Sequence, residues 1–227
     1  MQDTVLEEVT LFGVDSVDPG RLIAASEICR KHIRFGDVRL LSHLNPDYPD
    51  MVKIEPVTSV EAYSHFMLKK AWEYIRTPYV LVIQADGFIL NPFAWSADFL
   101  QYDYIGAPWW YNDDHNVGNG GFSLRSRRLM EAVAHDPLIR DCHPEDEVLC
   151  RTFGAHLKEE GFLFAPDEVA RRFSVEQEKW NGQFGFHGSN ISDWEVEKFA
   201  DPERHASYIE LFYQHYPDKR PGVISIT

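Results

Sequence analysis

The sequence predicts an α/β fold: a mostly parallel sheet flanked by helices, in a single domain. Three observations carry this. Apolar strand-like runs alternate with helical patterns as β-α-β-α-β over residues 1–90, the order that builds a parallel sheet with helices on its faces. The run Tyr79–Gln84, "YVLVIQ", is almost continuously apolar, as a parallel strand buried on both faces requires. The chain has 227 residues, no internal repeat and no low-complexity linker, which suits one large domain.

Taken in order, Val9–Asp15, "VTLFGVD", reads as the first strand. Asp18-Pro19 marks a helix start, with Asp as N-cap and Pro at the first helical position. Leu22, Ala25, Cys29 and Ile33 form the stripe that follows, and Val38–Ser42 is the second strand. Thr58-Ser59-Val60-Glu61 fits a capping box. Behind it, Tyr63, Phe66, Met67, Ala71, Tyr74 and Ile75 keep the spacing of an amphipathic helix. Thr77-Pro78 stops that helix before the strand Tyr79–Gln84. The second half is less regular. Aromatics and turns fill residues 103–123, and Ser126–His135 reads as a helix. Pro144–Glu160 reads as another, with Gly161 as its stop. Trp180–Asn190 is a glycine-rich loop, and Pro202–Tyr216 a final helix.

Composition excludes several classes of function. The net charge of −14 disfavours nucleic acid, which needs a basic face, and an anionic membrane surface. No window approaches the roughly 20 apolar residues of a membrane span. The acidic start "MQDTVLEEVTLFGVD" enters a strand-like run without a leader signature. Cys29, Cys142 and Cys150 are too few and too scattered for a disulfide framework or a zinc knuckle. A reduced, cytoplasmic setting is the expectation. An anionic ligand stays compatible with the charge, because a local cation overcomes a distant field.

Four stretches carry the chemistry. In "YVLVIQADGFIL", Asp86 stands where a buried strand surfaces, the end at which α/β sheets bind ligands; Asp15 ends the first strand in the same way. One carboxylate, a diphosphate and one further ligand suffice for Mg²⁺ or Mn²⁺. Gln84 lies two residues earlier, on the same side by strand alternation, and offers an amide oxygen or amide hydrogens. The competing reading of Asp86-Gly87 is a plain strand-ending turn. In "GNGGFSLRSRR" (Gly118–Arg128), Gly118, Gly120 and Gly121 around Asn119 allow close backbone approach to a ligand. Trp109-Trp110-Tyr111 just before it suits stacking on a sugar ring, or equally a buried aromatic cluster. "HPEDEVLC" (His143–Cys150) puts Glu145, Asp146 and Glu147 in a first helical turn. Acids there complement the helix dipole, or serve as a general base whose pKa the helix start keeps low. "FGFHG" (Phe184–Gly188) brackets His187, either an exposed loop histidine or a transition-metal ligand.

In this order, "QADGFIL", "GNGGFSLRSR", "HPEDEVLC", "FAPDEVARRFSVE" and "FGFHG" resemble the signature stretches of DUF5672, a group of uncharacterised domains similar to GT-A-fold glycosyltransferases. The likeness covers residues 8–190. It implies a GT-A-type, Rossmann-like sheet that moves a sugar from a nucleotide-sugar, by GT-A habit a UDP-sugar, to a glycan acceptor hydroxyl. Gln84-Ala85-Asp86 matches the Asp-x-Asp element with its first acid missing. The resemblance therefore implies Mn²⁺ or Mg²⁺ held by Asp86 and His187, and inversion with Asp146 as base. It further implies a donor site of Asp15, Gln84, Asp86, Gly87, Asn119, Gly120 and Gly121, and an acceptor site of Trp109, Trp110 and Glu145. On this view residues 1–90 are the nucleotide-binding half and 91–227 the acceptor and catalytic half. Arg125, Arg127 or Arg171 is the alternative to a metal for neutralising the leaving phosphate. The chain is also compatible with being one module of a larger polysaccharide-biosynthesis enzyme. Two other readings stay open. One is a metal-dependent hydrolase or nucleotidyltransferase using Asp86, Glu145, Asp146 and His187. The other is a non-catalytic glycan-binding domain with a degenerate donor site, kept open by Gln84.

Overall fold

The computed structural model describes residues 4–44, 47–111, 113–140, 143–188, 199–215 and 217. Strand β1 (Thr4–Val14) leads through Pro19 into helix α1 (Pro19–Cys29) and back along β2 (Ile33–Ser42). Leu22, Ala25 and Cys29 are buried, as their spacing predicts. Asp18 makes no side-chain cap; Asp15 instead accepts the N–H groups of Val17 and Asp18. A short parallel edge strand that the sequence reading passed over, β3 (Met51–Lys53), pairs with β2. Helix α2 (Val60–Lys69) starts one residue later than the expected box, because Ser59 and not Thr58 accepts the Ala62 N–H. Strand β4 (Tyr79–Val82) then pairs parallel with β1.

The sheet is completed from the second half of the chain. Strands β6 (Tyr104–Ile105) and β7 (Ser123–Ser126) extend it in the order β3-β2-β1-β4-β7-β6, with β7 antiparallel to both neighbours. Part of the stretch Gly118–Arg128 is therefore a buried strand, and Ser126 ends it by capping helix α3 (Arg127–His135). A second sheet joins β5 (Gly87–Ile89), β9 (Gly185–His187) and β8 (Ser174–Val175), in the order β5-β9-β8. Phe184–His187 thus belongs to a strand and its approach, and is not all loop. The expected helix over Pro144–Glu160 is broken into α4 (Glu145–Glu147), one π-helical turn (Val148–Thr152) and α5 (Gly154–Glu159). Helices α6 (Asp167–Phe173) and α7 (Ala206–His215) follow. Cys142, Ser189, Asn190 and Tyr216 lie outside the described residues; Cys29 and Cys150 are free, buried thiols. No helix among the described residues is long and apolar enough to cross a membrane.

Strand β1 has β2 on one side and β4 on the other, so the crossovers diverge at its carboxyl end, where open α/β sheets form a ligand crevice. The apolar core lies on both faces of β1 and β4, whose Leu11, Phe12, Val80, Leu81 and Val82 are fully buried. Strand β7 buries a charge instead. Arg125 Nη2 donates to Glu145 Oε1 at 2.7 Å, with the two side chains 1% and 7% exposed. Arg125 also donates to Ser123 Oγ and to the Gly120 carbonyl, and its guanidinium lies over the Tyr104 ring. Removing one partner of a buried pair leaves the other charge uncompensated. Arg125→Met should therefore lower unfolding stability in urea by about 3–5 kcal/mol, and the double variant Arg125→Met/Glu145→Met should recover most of that loss. A double variant no more stable than the single one would contradict this account.

Candidate active site

A cleft of about 440 Å³ opens at the carboxyl ends of β1 and β4, with Asp15, Arg21, Thr58, Tyr63, Gln84 and Asp86 among its walls. A wider groove of about 610 Å³ lies at the other end of β4, near Tyr79 and Arg127. Ligands of open α/β sheets sit at carboxyl ends, so the smaller cleft is the candidate site.

Gln84 and Gly87 exchange backbone hydrogen bonds at 2.9 and 3.2 Å. The chain turns back through Ala85-Asp86, so it is this turn, and not strand alternation, that puts Gln84 and Asp86 together. Beyond the turn, β5 pairs with β9 in a register that sets Gly87 opposite His187. His187 Nε2 comes to lie 3.3 Å from Gln84 Oε1 and 3.7 Å from Asp86 Oδ1. On the far side of the ring, Nδ1 is 3.3 Å from Glu176 Oε1. Burial opposes charge on His187, but Glu176 and Asp86 outweigh it and raise its pKa above the ordinary value. Gln84 Nε2 donates to the Tyr63 hydroxyl at 2.9 Å. Burial, and then the charge of Glu145, raise the Tyr63 pKa and keep that hydroxyl protonated.

The glycine pair forms the wall between this group and α4. A Cβ on Gly121 would stand 2.1 Å from His187 Nε2, and one on Gly120 would stand 2.2 Å from Glu145 Oε1. The Gly120 N–H donates to Asp146 Oδ2 at 2.9 Å, and the Glu147 N–H to Asp146 Oδ1 at 2.9 Å. Burial, reinforced by the charge of Glu145, raises the Asp146 carboxyl to about 6. That is opposite to the lowering expected from a helix start: α4 is only three residues long, and burial beside a like charge dominates.

The predicted residues therefore divide. Asp15, Gln84 and Asp86 share the cleft, Gly87 and Gly121 pack on His187, and Gly120 contacts Asp146 and Glu145. Asn119 is in the interior, 1% exposed, with φ 71°. Its carbonyl accepts the Tyr104 hydroxyl and its Oδ1 accepts the Phe122 N–H, so it shapes the loop. Glu145 is engaged by Arg125 within the protein. Trp109 is buried against Gly118, whereas Trp110 is exposed beside Tyr111. None of the three candidate arginines lines the cleft. Arg125 is buried, Arg127 bonds Ile75 O and Glu131, and Arg171 pairs with Asp167 and Glu178. Arg21, half exposed beside Asp18, is the cation of the cleft wall among the described residues. Sequence reading missed Glu176 and took Tyr63 for a core position. The signal for Tyr63 was present, since a tyrosine hydroxyl near a buried surface needs a polar partner. A separate group, Asp136, His156 and Glu160, ties α3 to α5, with His156 Nε2 2.7 and 3.6 Å from the two carboxylates.

A family model described as a protein of unknown function, DUF5672, matches residues 50–187. The chain belongs to the DUF5672 family. In this DUF5672 protein the matched span runs from β3's approach to His187 and so includes Tyr63, Gln84, Asp86, Arg125, Asp146 and Glu176. A comparison with curated proteins gives no match. Among solved structures, the mannosyltransferase PcManGT from Pyrobaculum calidifontis, in complex with GDP-Man and Mn²⁺, is 12% identical, with a TM-score of 0.44. That likeness covers 71% of this chain and 55% of the other. The glycosyltransferase GlyE from Streptococcus pneumoniae TIGR4 appears twice. Its apo form is 12% identical over 92% of this chain and 52% of its own, with a TM-score of 0.38. Its second structure is 14% identical over 97% and 66%, with a TM-score of 0.42. The DUF5672 chain thus spans about half to two thirds of the length of these solved chains.

The Asp146 carboxyl should titrate near pH 6 by ¹³C NMR, and Glu145→Gln should lower that midpoint. The substitution removes the like charge and leaves Arg125 positive, and both changes favour ionised Asp146. A midpoint that stays put or rises would contradict the assigned cause.

Proposed function

We propose that this protein transfers a sugar from a nucleotide-sugar to a glycan hydroxyl, with Asp86 and His187 as ligands of a divalent cation and Asp146 as the base. The observation that carries the reading is the convergence of Gln84, Asp86 and His187 at the cleft end of β4, with Asp146 behind the next glycine. The residues fit such an ion. Carboxylate, amide oxygen and imidazole suit Mn²⁺, and the space beside His187 Nε2 exists because residue 121 has no side chain. Glu176 meets the other ring nitrogen, the arrangement that orients metal-bound histidines. When bound, the cation would meet the negative charge that develops on a departing nucleoside diphosphate.

The remaining chemistry belongs to the chain itself. Residues 1–90 supply the lining of the donor cleft, and His187 meets Asp86 at its edge from the half assigned to acceptor and catalysis. An acceptor hydroxyl is a weak nucleophile, so its proton must leave as it attacks. With a pKa of about 6, Asp146 is mostly ionised at neutral pH yet basic enough to take that proton. Base and leaving group on opposite faces of the sugar would invert its configuration, and carboxylates nearby favour an oxocarbenium-like transition state. UDP is the first nucleotide to try, and a cytoplasmic setting, where nucleotide-sugars are made, agrees with the reading. Gln84 in the place of an acid favours a second reading, a glycan-binding domain that has lost its donor; glycan binding without nucleotide binding would establish it.

Asp146→Asn should lower transfer by about 10²–10⁴ while calorimetry shows nucleotide affinity nearly unchanged; normal turnover in that variant would remove Asp146 as the base. Asp86→Ala and His187→Ala should each weaken nucleotide binding in Mn²⁺ but not in EDTA. Equal losses in both would refute the cation site.

A further inference from the structure

We infer that the carboxamide oxygen of Gln84 is a third protein ligand for the proposed cation, and that Tyr63 is the residue that positions it. This rests on the cation reading above. Gln84 Nε2 is 2.9 Å from the Tyr63 hydroxyl, so the amide hydrogens point toward α2 and Oε1 points toward His187. Glu176 takes the Nδ1–H of His187, and Nε2 faces Gln84 Oε1 at 3.3 Å and Asp86 Oδ1 at 3.7 Å. Nε2 holds a proton toward these two oxygens when the ring is charged, and presents a lone pair beside them when that proton leaves. A divalent cation that displaces that proton would meet three electron-rich atoms at once.

Tyr63 and Glu176 do the same job at two of the three ligands: each takes up the hydrogen of a group whose other end must offer a lone pair. Asp86 needs no such partner, since both its oxygens accept. This accounts for the glutamine. An amide has one oxygen and one nitrogen, so it ligates only if its nitrogen is held elsewhere, and a tyrosine hydroxyl does that without adding charge. The site then carries one negative charge fewer than a pair of acids would, and its cation affinity depends more on the anionic ligand it meets.

A double-variant cycle on the full chain tests this, with free Mn²⁺ read by electron paramagnetic resonance, alone and with UDP, GDP and CDP present together. Tyr63→Phe should weaken Mn²⁺ binding by about ten- to a hundredfold. In the Gln84→Asp background the same substitution should change it less than about twofold, because a carboxylate needs no orienting partner. A purely structural role for Tyr63 would give equal losses in both backgrounds, and that result, or no loss in either, overturns the inference. Binding by Gln84→Asp but not by the unaltered chain would also overturn it, while leaving the Asp86–His187 site standing. No Mn²⁺ binding by either protein under any condition would sink the cation reading itself.

Discussion

The buried ion pair between Arg125 and Glu145 constrains the rest of this structure. Each charge alone would cost several kcal/mol to bury, so β7 and α4 can enter the interior only together. Their 2.7 Å contact fixes more than two side chains. Arg125 also holds the carbonyl of Gly120, and the N–H of that same glycine holds Asp146. Gly121, next along the chain, lies against His187. One guanidinium thus sets the spacing between the proposed base and the histidine of the proposed cation site. Glu145, expected to meet an acceptor, is engaged by this pair, and burial together with its charge lifts the pKa of Asp146.

The elements legible in the sequence were those whose cause is local. Strands β1, β2 and β4 and helices α1 and α2 follow from apolar runs, caps and spacing that lie within a few residues. Strand β7 did not show, because "SLRS" offers no apolar pattern; it is buried because Arg125 meets a carboxylate 20 residues away. The three residues of β3 were too short to register. The π-helical turn after α4 leaves helical spacing nearly intact and so hid inside one long predicted helix.

The site divides along the same line. Asp86, His187 and Asp146 could be picked from residue type and from the resemblance of their surroundings to a known family. Their partners could not. Gln84 and His187 are 103 positions apart, and the pairing of β5 with β9, with the Gly188 N–H donating to the Asp86 carbonyl beyond it, joins them. Glu176 and Tyr63 gain their meaning from that long-range contact; Tyr63 carried the general signal of a hydroxyl that needs a polar partner, and no local pattern marks Glu176. The direction of the Asp146 shift likewise depends on burial and on Glu145, neither of which a helix-start argument contains. What the fold adds to the residue list is which atom of each group is left facing the cleft.

Manganese anomalous scattering from crystals soaked in Mn²⁺ with UDP, GDP and CDP tests the central claim most directly. The account predicts a peak about 2.0–2.3 Å from an Asp86 oxygen and from His187 Nε2, beside nucleotide density in the cleft between β1 and β4. A peak only at Asp136, His156 and Glu160, or nucleotide density elsewhere on the molecule, would contradict it.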